Sequence, residues 1–169
     1  VFMCGGIAGV AANIRNCVTE GQGANMPSVM ITVGGNINTS SSGGIAGTGK
    51  ETLANCIVRD AAFSGVTTTS LPISGIVSTF QNNGSIKNSV VSNILVNGTT
   101  VHGIAGTAAN GTGSNSGNYS SGALYYENGV PSAYSPVSDA AGLDGETKTS
   151  SDLTQSFYQS IGFDFTNIW

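Results

Sequence analysis

Apolar residues in the first 125 positions fall in short runs rich in β-branched side chains, at 29–33, 57–58, 90–91 and 94–96. Clusters of Gly, Asn and Ser separate them, such as Asn82-Asn83-Gly84 and residues 110–117. No stretch of ten or more residues in this part carries the apolar period of an amphipathic helix. Short apolar runs bounded by turn formers predict strands joined by tight corners.

The runs sit inside a repeated phrase. GGIAGVAANIRNC at 5–17 is written again as GGIAGTGKETLANC at 43–56 and SGIVSTFQNNGSIKNS at 74–89, and its opening returns as HGIAGTAAN at 102–110. The leading glycines, Gly6, Gly44, Gly75 and Gly103, lie 38, 31 and 28 residues apart, a spacing that signals stacked repeat units. Strands of fixed position with loops of variable length predict an all-β fold, a parallel β-solenoid (β-helix) of about four coils with a C-terminal cap. Each coil is expected to hold two or three strands, stacked about 4.8 Å above the last.

In such a stack equal columns lie over one another. Ile7, Ile45, Ile76 and Ile104, with Ile14, Leu53 and Ile86, are the expected core columns. Asn16, Asn55, Asn88 and Asn118 are expected to form an inward-leaning amide ladder, each side chain bonding the one above. The column of glycines implies close backbone approach or positive φ at a corner.

The two-block phrase resembles the GLUG motif, a Gly-rich repeat of bacterial surface and adhesin-like proteins. The resemblance covers residues 1–125. The ending GETKTSSDLTQSFYQSIGFDFTNIW is similar to the segment that often closes such arrays, with its KTSSDL lead-in and final FDFTNIW. The resemblance implies a cell-surface protein. GLUG arrays also occur in IgA-cleaving metallopeptidases whose zinc site uses His-Glu-x-x-His; that motif is absent here, so the peptidase activity does not carry over.

The ends of the chain are read differently from the repeats. Thr149 and Asp152 are spaced as a capping box, and Leu153, Phe157 and Ile161 share a helical face, which predicts a short helix over 151–160 with Gly162 as its stop. Residues 149–169, through Phe157, Phe163, Phe165, Ile168 and Trp169, are expected to cap the last coil, with 126–148 as an irregular connection. The chain opens on Val1 rather than Met and is read as a processed product or a piece of a longer chain. Val1, Phe2 and Met3 run straight into the first phrase and form a candidate assembly edge.

Charge narrows the partners. Only 8% of the 169 residues are charged, with 5 basic and 9 acidic side chains and a net charge of −4. No basic face exists for nucleic acid or an anionic membrane. Gly at 25 residues, with Ser, Thr and Asn as the polar surface, belongs to turns and strands, and 39% hydrophobic content excludes disorder.

Candidate chemistry is sparse. His102 shares a column with Gly5, Gly43 and Ser74, is expected at an exposed corner, and has no second ligand at metal spacing. Asp139, Asp144, Glu146 and Asp152 cluster in sequence as solvated loop charges or a weak Ca²⁺ site, of which solvated charge is preferred. Arg15 and Lys87 share a column that Ala54 interrupts, with no acidic partner column of the kind polysaccharide lyases need. Cys17 and Cys56 stack in one column with Ser89 beyond them, and free thiols are expected; the redox state of these and of Cys4 stays open. Five sequons, at Asn38, Asn83, Asn97, Asn110 and Asn118, are about as many as the composition gives by chance.

The expected function is therefore a non-catalytic extracellular adhesin or adhesin stalk, without cofactor or metal. Its partner would be a host or neighbouring-cell protein or glycan, met by loops such as 21–27 or 110–117. The alternative is a structural subunit of an extracellular filament or sheath, assembled with copies of itself through strand edges. Ice binding needs a recurring Thr column, and Thr67-Thr68-Thr69 appears once.

Overall fold

The structure, a computed structural model, describes residues 2–21, 29–33, 40–65, 72–108, 111–127 and 129–167. Val1, Ile168, Trp169, the Thr67–69 run and most of the 21–27 loop lie outside the described residues.

The short apolar runs give strands, and left-handed corners fall at Asn16, Asn55, Asp60, Asn88 and Asn93. The first repeat holds β1 (Phe2–Gly5), β2 (Ala8–Ala11), β3 (Ile14–Arg15), β4 (Val18–Glu20) and β5 (Val29–Val33). The second holds β6 (Ser40–Gly43), β7 (Ala46–Gly49), β8 (Thr52–Ala54), β9 (Ile57–Arg59) and β10 (Ala61–Gly65). The third holds β11 (Ile73–Ser74), β12 (Val77–Phe80), β13 (Ser85–Lys87), β14 (Val90–Ser92) and β15 (Leu95–Asn97). The fourth keeps β16 (Val101–His102), β17 (Tyr119–Ser121) and β18 (Leu124–Glu127), followed by β19 (Val130–Pro131) and β20 (Glu146–Thr147).

Five sheets gather these strands, in the orders β1-β6-β11-β16, β2-β7-β12, β3-β8-β13, β4-β9-β14-β17-β20 and β5-β10-β15-β18-β19. Among the described strands every pairing is parallel except β18 with β19. The fold is all-β on parallel sheets, consistent with a β-helix-like arrangement. Each complete repeat contributes five strands rather than two or three, because a corner follows every two to five residues.

Register places the columns. The backbone N–H of Ile7 donates to Ile45 O (3.1 Å), Ile45 to Ile76 (2.9 Å), Ile76 to Ile104 (3.1 Å) and Ile104 to Leu143 (2.8 Å). Ile45, Ile76 and Ile104 are fully buried, each contributing about 1.5–3 kcal/mol. Ile7 is 47% exposed, unlike the core position expected of it, because the first repeat has a neighbour on one side only. Leu53 and Ile86 are fully buried and Ile14 packs partly against the same cluster. Phe63 is the largest fully buried side chain.

The glycine column marks close approach. A Cβ on Gly44 would stand 2.1 Å from the carbonyl oxygen of Gly75, and one on Gly75 would stand 2.2 Å from that of Gly103. No side chain fits there without moving the backbone.

The expected amide ladder divides. Asn16, Asn55 and Asn88 are in register but have φ of 56°, 52° and 48°, the left-handed region that Asn and Gly tolerate best. Lys87 bridges to Ser116, so Gly117 (φ 63°), not Asn118, continues that column. Among the described residues no hydrogen bond joins these amides to one another; they are corner residues. Asn118 instead continues the column of Cys17, Cys56 and Ser89, fully buried. Its Oδ1 accepts from Ser89 N (3.2 Å) and its Nδ2 donates to Ile86 O (3.1 Å), while Asn115 Oδ1 accepts from Ile86 N (3.0 Å). Two side-chain amides thus help to satisfy β13 where the fourth repeat supplies a single bridge in place of a strand.

The two C-terminal segments exchange their expected places. Residues 132–145, read as a connection, close the last repeat: Leu143 O accepts from Ile104 N and Ala105 N, Ala140 O accepts from Asn118 N, and Tyr134 packs edge-on to Tyr125 at 5.1 Å. Residues 149–167, read as the end cap, run back along the flank of the β4-β9-β14-β17-β20 sheet. Phe157 meets Tyr119 of the fourth repeat (4.9 Å), Gly162 O accepts from Asn55 Nδ2 of the second (2.8 Å), and Phe165 lies across a cleft from Val18 of the first. The aromatic residues cover a flank rather than an end, because the flank offers an apolar face: Ile57 and Val90, alternate to the core residues Val58 and Val91, are 8% and 0% exposed. The expected helix is a 3₁₀ turn at Ser150–Asp152 followed by α1 (Gln155–Ser160), whose N-cap Thr154 accepts from Phe157 N at 3.2 Å. It is not long and apolar enough to cross a membrane, and neither is any other helix of the described residues.

Candidate binding site

The strap formed by residues 149–167 leaves a cleft between itself and the sheet it crosses. Alternation along β4 and β9 turns Thr19 and Val58 inward and presents Val18, Glu20, Ile57 and Arg59 outward. One part of the cleft has a volume of about 480 Å³, with Val18, Ile57, Leu153 and Phe165 as apolar walls. A second part of about 520 Å³ is bordered by Asp60, Ser92, Asn93, Ser121 and Ser150. Arg59, Leu153 and Tyr158 line both, so the two adjoin.

The polar part is a product of register. Arg59, Ser92 and Ser121 occupy one column, followed by a corner column of Asp60 (φ 53°), Asn93 (φ 49°) and Gly122 (φ 64°). Asn93 Nδ2 donates to Asp60 Oδ1 at 2.5 Å. Arg59 Nη2 holds Glu20 Oε1 at 2.7 Å, with both side chains about half exposed. Tyr158 is the hub of the strap's rings, edge-on to Phe157 (5.6 Å), Phe163 (5.3 Å) and Phe165 (6.4 Å). Burial pushes its hydroxyl above the ordinary range and Arg59 draws it partly back, so it stands protonated as a donor near neutral pH.

A second polar cluster lies under the segment that closes the last repeat. Asp144, 3% exposed, accepts from Gly103 N (3.0 Å) and Val137 N (3.1 Å) and from the Tyr134 hydroxyl (2.6 Å). His102 Nδ1 lies 2.7 Å from that hydroxyl and 3.4 Å from Asp144 Oδ1. His102 is thus a half-buried partner of a carboxylate rather than an exposed corner residue. Burial works against the Asp144 carboxylate, but the bonds from His102, Tyr134, Gly103 and Val137 outweigh it and hold the group below the usual carboxylate range. Its oxygens meet donors of the chain itself, and the cluster reads as a latch. Ser74 of the same column donates to Val77 O at 2.6 Å and is no nucleophile for His102.

The other sequence candidates disperse. Glu146 pairs with Lys148 (2.6 Å), Asp152 accepts from Thr149 N (2.8 Å) and Asp139 from Ala141 N (2.9 Å), so the four acids do not converge. Among the described residues no group of three or more His, Cys, Asp or Glu can hold a metal ion. Phe157, Phe163 and Phe165 belong to the strap, whereas the backbone of Phe2 and Met3 pairs with Ser40 and Ser41 in β6. In the loop at 111–117 Asn115 is buried while Gly111, Thr112, Ser114 and Ser116 stay exposed, and Thr112 N donates to Asn83 Oδ1 (3.1 Å). Arg59, Asp60, Asn93 and Tyr158 escaped the sequence reading. The corner residues Asp60 and Asn93, each just after an apolar run, were a usable signal for their column, but nothing in sequence placed the strap beside it.

No protein-family model, no curated protein and no solved structure matches the chain.

Proposed function

We propose that the protein is a non-catalytic extracellular β-solenoid that works as an adhesin or adhesin stalk. The reading rests on the repeated register: the first three phrases return their strands to the same five sheets and the fourth to three of them, which supports a stiff stack whose outer columns repeat a polar pattern. The sequence resemblance to GLUG arrays supports the surface assignment, and the cleft under the strap supplies a place for a partner. The test is twofold. Antibody against the folded chain should label intact, unpermeabilised cells that make it, and the purified protein should hold to host or neighbouring cells. Absence of both sinks the reading.

One observation favours a second reading, a structural subunit that assembles through strand edges. β1 to β5 are terminal strands of their five sheets, and beside them Ile7, Val10 and Val18 are 47%, 46% and 37% exposed. Residues 132–145 close the opposite end, so contacts would join first repeat to first repeat or run laterally. Light scattering across a dilution series, with negative-stain microscopy, distinguishes the two: persistent oligomers favour the subunit, a monomer at all concentrations the adhesin.

A further inference from the structure

Resting on the adhesive reading, we propose that the cleft beneath the strap is the binding site, and that its ligand is a neutral oligosaccharide chain lying along the stacking direction. The shape comes first. Two adjoining spaces of about 480 and 520 Å³ share Arg59, Leu153 and Tyr158 and together extend from Val18 in the first repeat to Ser121 in the fourth. Each alone is within the range of small-ligand pockets, and the pair suits a linear molecule of several units.

The chemistry of the walls is divided in the same way as a sugar ring. A pyranose carries an apolar face of C–H groups and a rim of hydroxyls that both donate and accept. Tyr158 and Phe165, with Val18 and Ile57 beside them, supply aromatic and apolar surface at one end. Ser92, Asn93, Asp60 and Ser150 supply hydroxyl, amide and carboxylate groups at the other. The polar groups also recur: columns of parallel strands repeat at about 4.8 Å, so a polymer meets comparable groups at successive repeats.

Other ligand classes fit less well. A peptide held by strand addition needs a long free edge, yet the edge strand at the cleft, β4, is three residues long, while β9 lies between β4 and β14, β14 between β9 and β17, and β17 between β14 and β20. Nucleic acid or an acidic polysaccharide needs free cations. Arg59 is already held by Glu20, and Asp60 stands next to it. A lipid chain would leave the polar half unmatched.

The experiment uses the full chain with cellohexaose, chitohexaose and a mannan hexamer, read by saturation-transfer NMR and calorimetry. At least one should bind in the micromolar to millimolar range, with the strongest transfer to protons of its apolar face. Asn93→Gly keeps the left-handed corner, as Gly122 does in the same column, and removes the amide. Arg59→Gln removes the charge at the junction of the two spaces. Each should weaken binding about tenfold, roughly the loss of one good hydrogen bond, with thermal unfolding within a few degrees of the parent. Lys50→Ala, outside the cleft, should leave binding unchanged.

Two results overturn the proposal: no hexasaccharide binds at millimolar concentration, or binding survives both cleft variants. Cell binding that persists while every oligosaccharide fails overturns the glycan site and leaves the adhesive reading standing. Loss of both takes the adhesive reading down as well.

Discussion

Asn55 Nδ2 donates to the carbonyl of Gly162 at 2.8 Å, tying the second repeat to the strap across 107 residues of sequence. The same Asn holds a left-handed corner at φ 52°, so one residue sets both the turn and the tether. Asn55→Gly separates the two roles, because Gly keeps the corner and loses the amide. The variant should lose about 1 kcal/mol, and amide exchange should accelerate over 155–163 while the β8 and β9 amides stay protected. Uniform acceleration across the repeats would refute a local tether.

Gly75 shows how close the repeats approach. A Cβ there meets Gly103 O at 2.2 Å and the side chains of Ile94 and Val91 at 2.7 Å, so Gly75→Ala must displace backbone and core together. A loss of about 3 kcal/mol or more is expected by chemical denaturation. Gly129→Ala, a glycine with nothing within 4 Å of its missing Cβ, is the contrasting control. Its φ of 77° gives it the smaller cost of an Ala in left-handed backbone.

Acid should loosen the closing segment. The folded-state pKa of Asp144 is lowered, so its contribution is fully present above the unfolded carboxylate value of about 3.9 and disappears as pH falls through the folded value. Asp144→Asn places an amide N–H₂ against groups that already donate to that side chain. The variant should be about 2–3 kcal/mol less stable near neutral pH and should lack this acid component. Urea melts at a series of pH values check it; parallel pH profiles for parent and variant would contradict the latch.

Cys17 and Cys56 stand as thiols in one column, and each Sγ donates to the carbonyl two residues earlier, at 3.4 Å. Ser89 repeats that bond in the third repeat at 2.9 Å. Burial pushes the Cys56 thiol up to about 12, while Cys17 is half-buried and raised less. In the folded protein, maleimide should label Cys17 far faster than Cys56, with Cys56 reacting only on unfolding. Cys56→Ser should cost no more than about 1 kcal/mol, since Ser89 shows that a hydroxyl serves the column.

The repeats were legible because their signal is local. Ile45, Ile76 and Ile104 each follow a Gly, and Asn16, Asn55 and Asn88 each stand two residues after an Ile or Leu, so the phrase itself carries strand, core and turn. What the letters did not distinguish was why the Asn recurs. A ladder and a left-handed corner both call for Asn, and only the φ values and the substitution of Gly117 separate them. The fourth repeat hid a one-residue shift, so Asn118 was matched to the wrong column. The strap was misplaced for a different reason: Phe157, Phe163 and Phe165 announce burial but not the surface they bury against. The cleft depends on that docking, and so lay beyond reach of the sequence.

The strap also decides how the molecule answers a mechanical load. A pull applied past Asn167 reaches Phe165 beside the first repeat, then the Asn55–Gly162 bond, then the Phe157–Tyr119 contact over the fourth. These attachments are loaded one after another, as in peeling tape, and each gives way at a force set by a single contact. The strand ladders beneath are loaded only once the peel is complete. Under such a load the strap would peel away before the ladders are strained, and any ligand in the cleft would be let go by the same event.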